Sequence, residues 1–148
     1  MAETLGSLMD KLSIKNIRLW HLDEAKGLQG YTQKKELVQK QRDHLILEID
    51  EFVHSALQGK VSLREEKIKL YNKPEDKGLF GHVSRIGEAM DHLALENIRL
   101  WHLEDDIREE GIADSRVVAL KREIDRANQR RNDLIDKVDE LFEKSLKN

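Results

Sequence analysis

The sequence predicts an all-α protein with a four-helix-bundle-like fold, made of two tandem helical hairpins related by an internal repeat. One helical segment is present twice, since residues 16–22 recur identically as residues 97–103. Apolar residues recur with a helical period, and no strand-like alternation competes with it. The single proline, Pro74, leaves long segments free to be helical.

The first hairpin is bounded by glycines that end its helices. We expect a first helix over Leu5–Glu24, followed by Gly27 and Gly30, and a second helix that ends near residue 58 at Gly59. Repeat 1 therefore covers residues 4–58, and a linker covers residues 59–81. Within this linker, Ser62 and Glu65 have capping-box spacing, which predicts a short extra helix to about Tyr71.

The second hairpin covers residues 82–148 and completes a single domain over residues 1–148. Its first helix should begin near residues 82–84 and end before Gly111, and Asp114 or Ser115 could cap the last helix. The last helix matches its counterpart more faintly, with Arg131 aligned to Arg42. This alignment requires extra residues between the two helices of the second hairpin, so we expect its connecting loop to be longer than that of the first hairpin.

Composition limits the partners and the chemistry. A net charge of −3, from 26 basic and 29 acidic residues, gives no general attraction to nucleic acid or to an anionic membrane. The absence of cysteine excludes disulfides, thiolate nucleophiles and cysteine-based zinc sites. No apolar segment approaches the roughly 20 residues that span a bilayer, and no signal peptide is visible. We expect a cytoplasmic protein.

The first helix and its copy have apolar residues on two faces. Leu5, Leu12 and Leu19 predict an ordinary core stripe, and neighbouring Trp20, with Trp101 in the copy, is interpreted as a core anchor. A second stripe lies opposite and is a candidate contact face, between the repeats, between protomers or beneath the linker helix. Its residues are Ile14, Ile17, His21, Leu95, Ile98 and His102.

Polar residues interrupt the predicted core in the second hairpin. Arg131 lies within an apolar stripe, where a guanidinium needs a carboxylate partner such as Asp23 or Glu104, or an opening to water. Arg131 and six further polar residues form a candidate set with two interpretations. They are either a buried network that fixes the register of the helices, or a site between helices that binds a ligand or a metal. The members of the set are Asn97, Glu104, Lys121, Asn128, Arg131, Asn132 and Asp139.

Two histidine–carboxylate pairs recur at the ends of the duplicated helices. His21 precedes Glu24 as His102 precedes Asp105, which places each pair on neighbouring helix surface. Such a symmetric set could chelate a divalent metal. The Glu-x-x-His arrangement of di-metal bundles is present only at Glu51 and His54, so we predict no cofactor and keep metal binding as an alternative.

Residues 97–105 and 121–135 carry the strings N-x-x-LWH-x-ED and KR-x-ID-x-x-NQ-x-RNDLI. The second half of the chain thereby resembles a family of uncharacterised bacterial proteins with a domain of unknown function. In the first half, Asp23 and Glu24 reverse the acidic pair and Gln39 replaces Asn128. The resemblance implies a helical fold in a bacterial protein, and it places any specific site in the second repeat.

Function is predicted as ranked alternatives. The first is a non-enzymatic helical scaffold or interaction protein that self-associates as a homodimer, with no other protein partner indicated. The second is a metal-dependent hydrolase of a nucleotide or other phosphorylated small molecule, with Glu104 and Asp139 on magnesium and Arg131 and Lys121 toward phosphate. The third is a transition-metal-binding bundle that uses His21 and His102.

Overall fold

A computed structural model describes residues 2–64 and 80–147 of the chain. These residues form four helices, α1 (Leu5–Glu24), α2 (Tyr31–Leu57), α3 (Ile86–Ile107) and α4 (Asp114–Lys147). The predicted all-α fold is confirmed, and the described ranges contain no strand. The predicted linker helix falls largely on residues outside the described ranges.

The ends of α2 and α3 lie near glycines, as predicted. Thr4 caps α1 in a capping box with Ser7, whose backbone N–H donates to the Thr4 hydroxyl at 3.2 Å. Gly59 and Gly111 follow α2 and α3 with φ of 70° and 76°, a left-handed conformation that favours glycine. Arg85 precedes α3 without a side-chain cap.

Helix α1 is the central element of the bundle. It packs against α2, α3 and α4, whereas α3 and α4 form the most extensive helix pair. Helix α2 packs mainly on α1 and reaches α4 near its C-terminal end, where the Phe52 and Phe142 rings lie 6.3 Å apart. The two hairpins therefore share a core chiefly through α1.

The core runs along α3 and α4 in three clusters. Leu5, Val83, Ala89 and Val138 are buried at one end, together with Phe142. The middle and the far end contain Leu93, Leu134, Ile135, Leu100, Leu103, Leu120 and Ala127. Among the described helices, none combines the length and the hydropathy that a membrane-spanning helix requires.

Helix α1 lies close to the backbone of α4 at Gly6. The Gly6 backbone N–H donates a hydrogen bond to Asp139 Oδ1 at 2.7 Å. A Cβ atom at Gly6 would lie 2.3 Å from the carbonyl oxygen of Ile135, whereas a Cβ atom at Gly87, the repeat counterpart, would meet nothing within 4 Å. The two copies of the duplicated helix are therefore packed differently.

The interpretation of Trp20 as a core anchor is wrong, since its side chain is 67% exposed. Asn16 and Asp23, which lie on the same helical stripe as Leu12 and Leu19, are also exposed. Trp20 lies on the same helical stripe as the buried residues Gly6 and Ser13, one further pair of turns along α1. Burial on this stripe therefore ends before the C-terminal part of α1, where Trp20 is exposed.

Candidate functional site

An open cleft of about 290 Å³ lies between α1, α3 and α4. Ile14 and Ile17 from α1 and Leu100 from α3 provide apolar walls. The polar and aromatic lining consists of Arg18, Asn97, Trp101, Glu104, Asp105, Arg108 and Arg131. The cleft therefore combines one face of the first repeat with residues of the second.

Asp10, Asn97 and Arg131 form a polar cluster beside the cleft. Asn97 Nδ2 donates a hydrogen bond to Asp10 Oδ1 at 2.9 Å, and both residues are buried. Arg131 Nε lies 3.6 Å from the same Asp10 oxygen, an ion-pair distance that is too long for a hydrogen bond. Asp10 is thus the carboxylate that faces Arg131.

The carboxylates expected to pair with Arg131 have other partners. Asp23 lies in the last turn of α1, where hydrogen bonds from Lys35 and Tyr31 of α2, at 2.9 and 2.8 Å, lower its pKa. Glu104 forms an ion pair with Arg108 at 3.4 Å, one helical turn along the chain. The expected pairing was wrong because these nearer cations take both carboxylates.

Two residues that line the cleft each have a buried donor without a hydrogen bond among the described residues, namely Trp101 Nε1 and Arg131 Nε. A buried donor without an acceptor costs about 1–3 kcal/mol, so native structures seldom leave one unexplained. Both side chains line the same cleft. An acceptor that reached these two atoms from the cleft, from a ligand or from water, would satisfy them.

An aromatic contact joins the two repeats at the cleft. The His21 ring stacks on Trp101 with a centroid separation of 4.4 Å and an interplanar angle of 7°. His102 meets His21 edge-on at 6.3 Å. Trp101 is therefore a partly buried wall of the cleft, unlike its exposed counterpart Trp20.

The predicted contact face is used differently in its two copies. Ile14, Ile17 and His21 meet the second repeat at the cleft. Leu95 and Ile98 are 52% and 43% exposed on the outer side of α3. The first copy of the stripe thus contacts the other repeat, whereas Leu95 and Ile98 of the second copy face solvent.

The predicted polar set is dispersed over the bundle. Asn97, Glu104 and Arg131 line the cleft, and the remaining four residues do not. Asp139 is buried beneath the start of α1, Asn128 is partly buried, and Lys121 and Asn132 are exposed. Because Asp139 lies two helical turns from Arg131, about 12 Å along α4, the structure does not assemble it with Glu104 as a magnesium pair.

Metal-ligand geometry appears at a different place from the predicted one. His21 Nδ1 lies 3.6 Å from Glu24 Oε2, and the His21 ring stacks on the Trp101 ring. Among the described residues, three possible metal ligands come together at His82, Glu88 and His92. Each offers one ligand atom, and the three atoms lie within 4.8 Å of one another. Sequence reasoning missed this group, although Glu88 and His92 have the spacing of one helical turn.

Sequence reasoning also missed the buried ion pair that joins α3 to α4. Glu96 Oε1 lies 2.8 Å from an Arg130 terminal nitrogen and accepts a hydrogen bond from Arg130 Nε at 3.0 Å. Arg99, on the same helix as Glu96, approaches the carboxylate at 3.3 Å. Glu96 is buried on the α4 side of α3, so this pair fixes the second hairpin.

The comparisons with known proteins concern the second repeat. A family model described as "Protein of unknown function (DUF4254)" matches residues 88–148. This match confirms the resemblance to a domain of unknown function. It includes the α3 and α4 side of the cleft and leaves out the α1 side. No curated protein and no solved structure matches the chain.

Proposed function

We propose that this protein is a non-catalytic binding module whose cleft between α1, α3 and α4 takes a small organic anion. The observation that carries the proposal is that two buried donors without a hydrogen bond, Trp101 Nε1 and Arg131 Nε, belong to residues that line one cleft. Carboxylate and phosphate oxygens are the acceptors that suit them, because hydrogen bonds from a guanidinium to an anion are short and strong.

The size and charge of the cleft restrict the ligand. A volume of about 290 Å³ lies at the lower end of small-molecule sites, which run from roughly 300 to 1,000 Å³. Arg18 has no ion-pair partner among the described residues, whereas Arg108 is paired with Glu104. Glu104 and Asp105 also line the cleft and oppose a highly charged ligand. These features favour one anionic group on a small apolar body.

Binding without hydrolysis is the form that the residue arrangement supports. The hydrolase alternative assigned magnesium to Glu104 and Asp139, and only Glu104 lies at the cleft. Asp139 accepts the Gly6 N–H instead. We therefore propose recognition of a phosphomonoester or carboxylate rather than its turnover. The cytoplasmic setting of this activity stays a prediction from the sequence.

Calorimetric titration with AMP, inorganic phosphate and acetate tests the proposal. We expect saturable binding of at least one probe by the full chain and about 10- to 100-fold weaker binding by Arg131→Gln. Arg42→Gln is the matched control, since Arg42 occupies the aligned position in the first repeat and pairs with Asp43 at 3.0 Å. Absence of saturable binding by all three probes, or an equal loss in both variants, would contradict the proposal.

Self-association is a second candidate function, favoured by the exposed apolar residues Leu95 and Ile98 on α3. Apolar side chains on one helix stripe are typical of a protein contact. We expect a homodimer in light scattering at high concentration that dissociates in Ile98→Glu. Leu47→Glu, at an exposed position on α2, should leave the dimer intact. A monomer across the whole dilution series would contradict this candidate.

A further inference from the structure

We infer that His82, Glu88 and His92 bind a divalent transition-metal ion of the zinc class at the start of α3. Each residue offers one ligand atom, and these three atoms lie within 4.8 Å of one another. Two imidazoles and one carboxylate are a donor set that zinc accepts in three-ligand sites. This site is separate from the cleft and does not depend on the proposed anion binding.

The three ligands converge because of the local chain path. Glu88 and His92 are one helical turn apart and lie on the same face of α3. His82 comes from the segment before the helix, and its ring lies edge-on to the His92 ring at 6.4 Å. One helix face and one preceding loop thus supply the ligands.

Buried neighbours hold the backbone of these ligands in place. Val83, next to His82, is 1% exposed, and its N–H donates to the Phe80 carbonyl at 3.1 Å. Ala89, next to Glu88, is fully buried in the same core cluster. The Phe80 ring lies 6.1 Å from the His92 ring and provides an apolar wall. The ligands therefore start from fixed backbone positions, which lowers the ordering cost of binding a metal.

Metal binding requires only small side-chain movements. Zinc takes nitrogen and oxygen ligands at about 2.0–2.2 Å, so tetrahedral ligand atoms lie roughly 3.4 Å apart. Side-chain rotation can close the remaining distance. Arg85, now 3.3 Å from Glu88 Oε2, would exchange this contact for water, and its side chain is already 82% exposed. Three protein ligands leave one coordination position open to solvent.

The repeat shows that this ligand set belongs to the second copy alone. Ser7 and Lys11 stand at the positions of Glu88 and His92 in the first repeat. Lys11 pairs there with Glu3, and Ser7 donates to the same carboxylate at 2.7 Å. Along α3, His92 lies about 14 Å from Trp101 of the cleft, so a metal ion would not contact the anion site.

Titration of the full chain with Zn²⁺ tests the inference. We expect one Zn²⁺ per chain, bound about 100-fold more weakly by His92→Ala and about 10-fold more weakly by Glu88→Gln. His44→Ala is the matched control, because His44 and Glu48 form a histidine–carboxylate pair at 2.9 Å one turn apart but without a third ligand. Circular dichroism checks that each variant is folded.

Cobalt substitution gives a second readout that does not depend on affinity. Co²⁺ bound by His82, Glu88 and His92 should give intense visible absorption bands typical of tetrahedral coordination, and His82→Ala should remove them. The inference is overturned if the wild type binds Zn²⁺ no more tightly than His92→Ala. It is equally overturned if His44→Ala weakens binding as much, or if the Co²⁺ bands are weak or unchanged in His82→Ala.

Discussion

Asn97 of α3 donates a hydrogen bond to Asp10 of α1 at 2.9 Å, and this buried contact joins the two repeats. Their repeat counterparts, Asn16 and Asp91, are exposed. The duplicated sequence therefore supplies the amide from one copy and the carboxylate from the other. Each helix uses a different face, and the cleft with Arg131 lies where these two faces meet.

Replacement of Asn97 should destabilise the protein far more than replacement of its repeat counterpart. In Asn97→Ala the buried carboxylate of Asp10 loses its donor, which should lower the free energy of unfolding by about 2–3 kcal/mol. Asn16→Ala, on an exposed site, should change it by no more than about 0.5 kcal/mol. Urea unfolding followed by circular dichroism measures both; equal effects would contradict the assigned packing.

The close approach of α1 to α4 makes Gly6 sensitive to a single methyl group. Gly6→Ala places Cβ 2.3 Å from the Ile135 carbonyl oxygen, a backbone atom that cannot rotate away. We expect a loss of about 2–3 kcal/mol in the free energy of unfolding. Gly87→Ala meets open space on an exposed helix and should be neutral or stabilising by up to about 1 kcal/mol. A tolerated Gly6→Ala would show that α1 packs elsewhere.

The buried pair between Glu96 and Arg130 should contribute more stability than a surface pair on the same helix. Glu96→Gln removes the negative charge of the carboxylate that accepts hydrogen bonds from Arg130. This change should lower the free energy of unfolding by about 1–3 kcal/mol. Glu104→Gln affects only an exposed pair with Arg108, so a change within about 0.5 kcal/mol is expected. Chemical denaturation of both variants tests this ranking, and its reversal would contradict the assigned packing.

Acid should weaken the fold partly through Glu140. The hydrogen bond from Lys144, with a further contribution from Lys137, lowers the pKa of Glu140 below its ordinary value of 4.5. A carboxylate whose pKa is lower in the folded state than in the unfolded state stabilises the fold at pH values above the unfolded-state pKa. This stabilisation is lost as the pH falls through the folded-state pKa. Glu140→Gln should therefore be less stable than the wild type at pH 7, with a smaller difference at pH 3. When Lys144→Met is also present, Glu140→Gln should show little of this pH-dependent difference in stability. A stability difference between the wild type and Glu140→Gln that stays constant with pH would contradict the account.

Helix boundaries follow from the sequence because glycines and caps act locally. Gly59 follows the end of α2 as predicted, Gly111 lies four residues after the end of α3, and α1 covers its predicted range. The periodic apolar pattern likewise predicts four helices without knowledge of their partners.

Burial on each helix face depends on tertiary packing and could not be predicted in the same way. Trp20 and Trp101 share identical neighbours in sequence, yet one is exposed and the other lines the cleft. Identical segments differ in environment here because α1 has three helical neighbours and α3 mainly two. The ligand set of His82, Glu88 and His92 depends on the path of the chain before α3, which periodicity does not specify.

The most direct test of the anion-binding cleft is an NMR titration of the indole N–H groups. The chain has two tryptophans, so a ¹⁵N-labelled sample gives two indole resonances, and Trp20→Phe identifies the one from Trp101. On addition of the probe that binds in calorimetry, whether AMP, inorganic phosphate or acetate, we predict that the Trp101 resonance moves to saturation while that of Trp20 stays in place, and that Arg131→Gln removes the movement. Binding that leaves the Trp101 resonance unmoved, or that moves both resonances alike, would contradict the account.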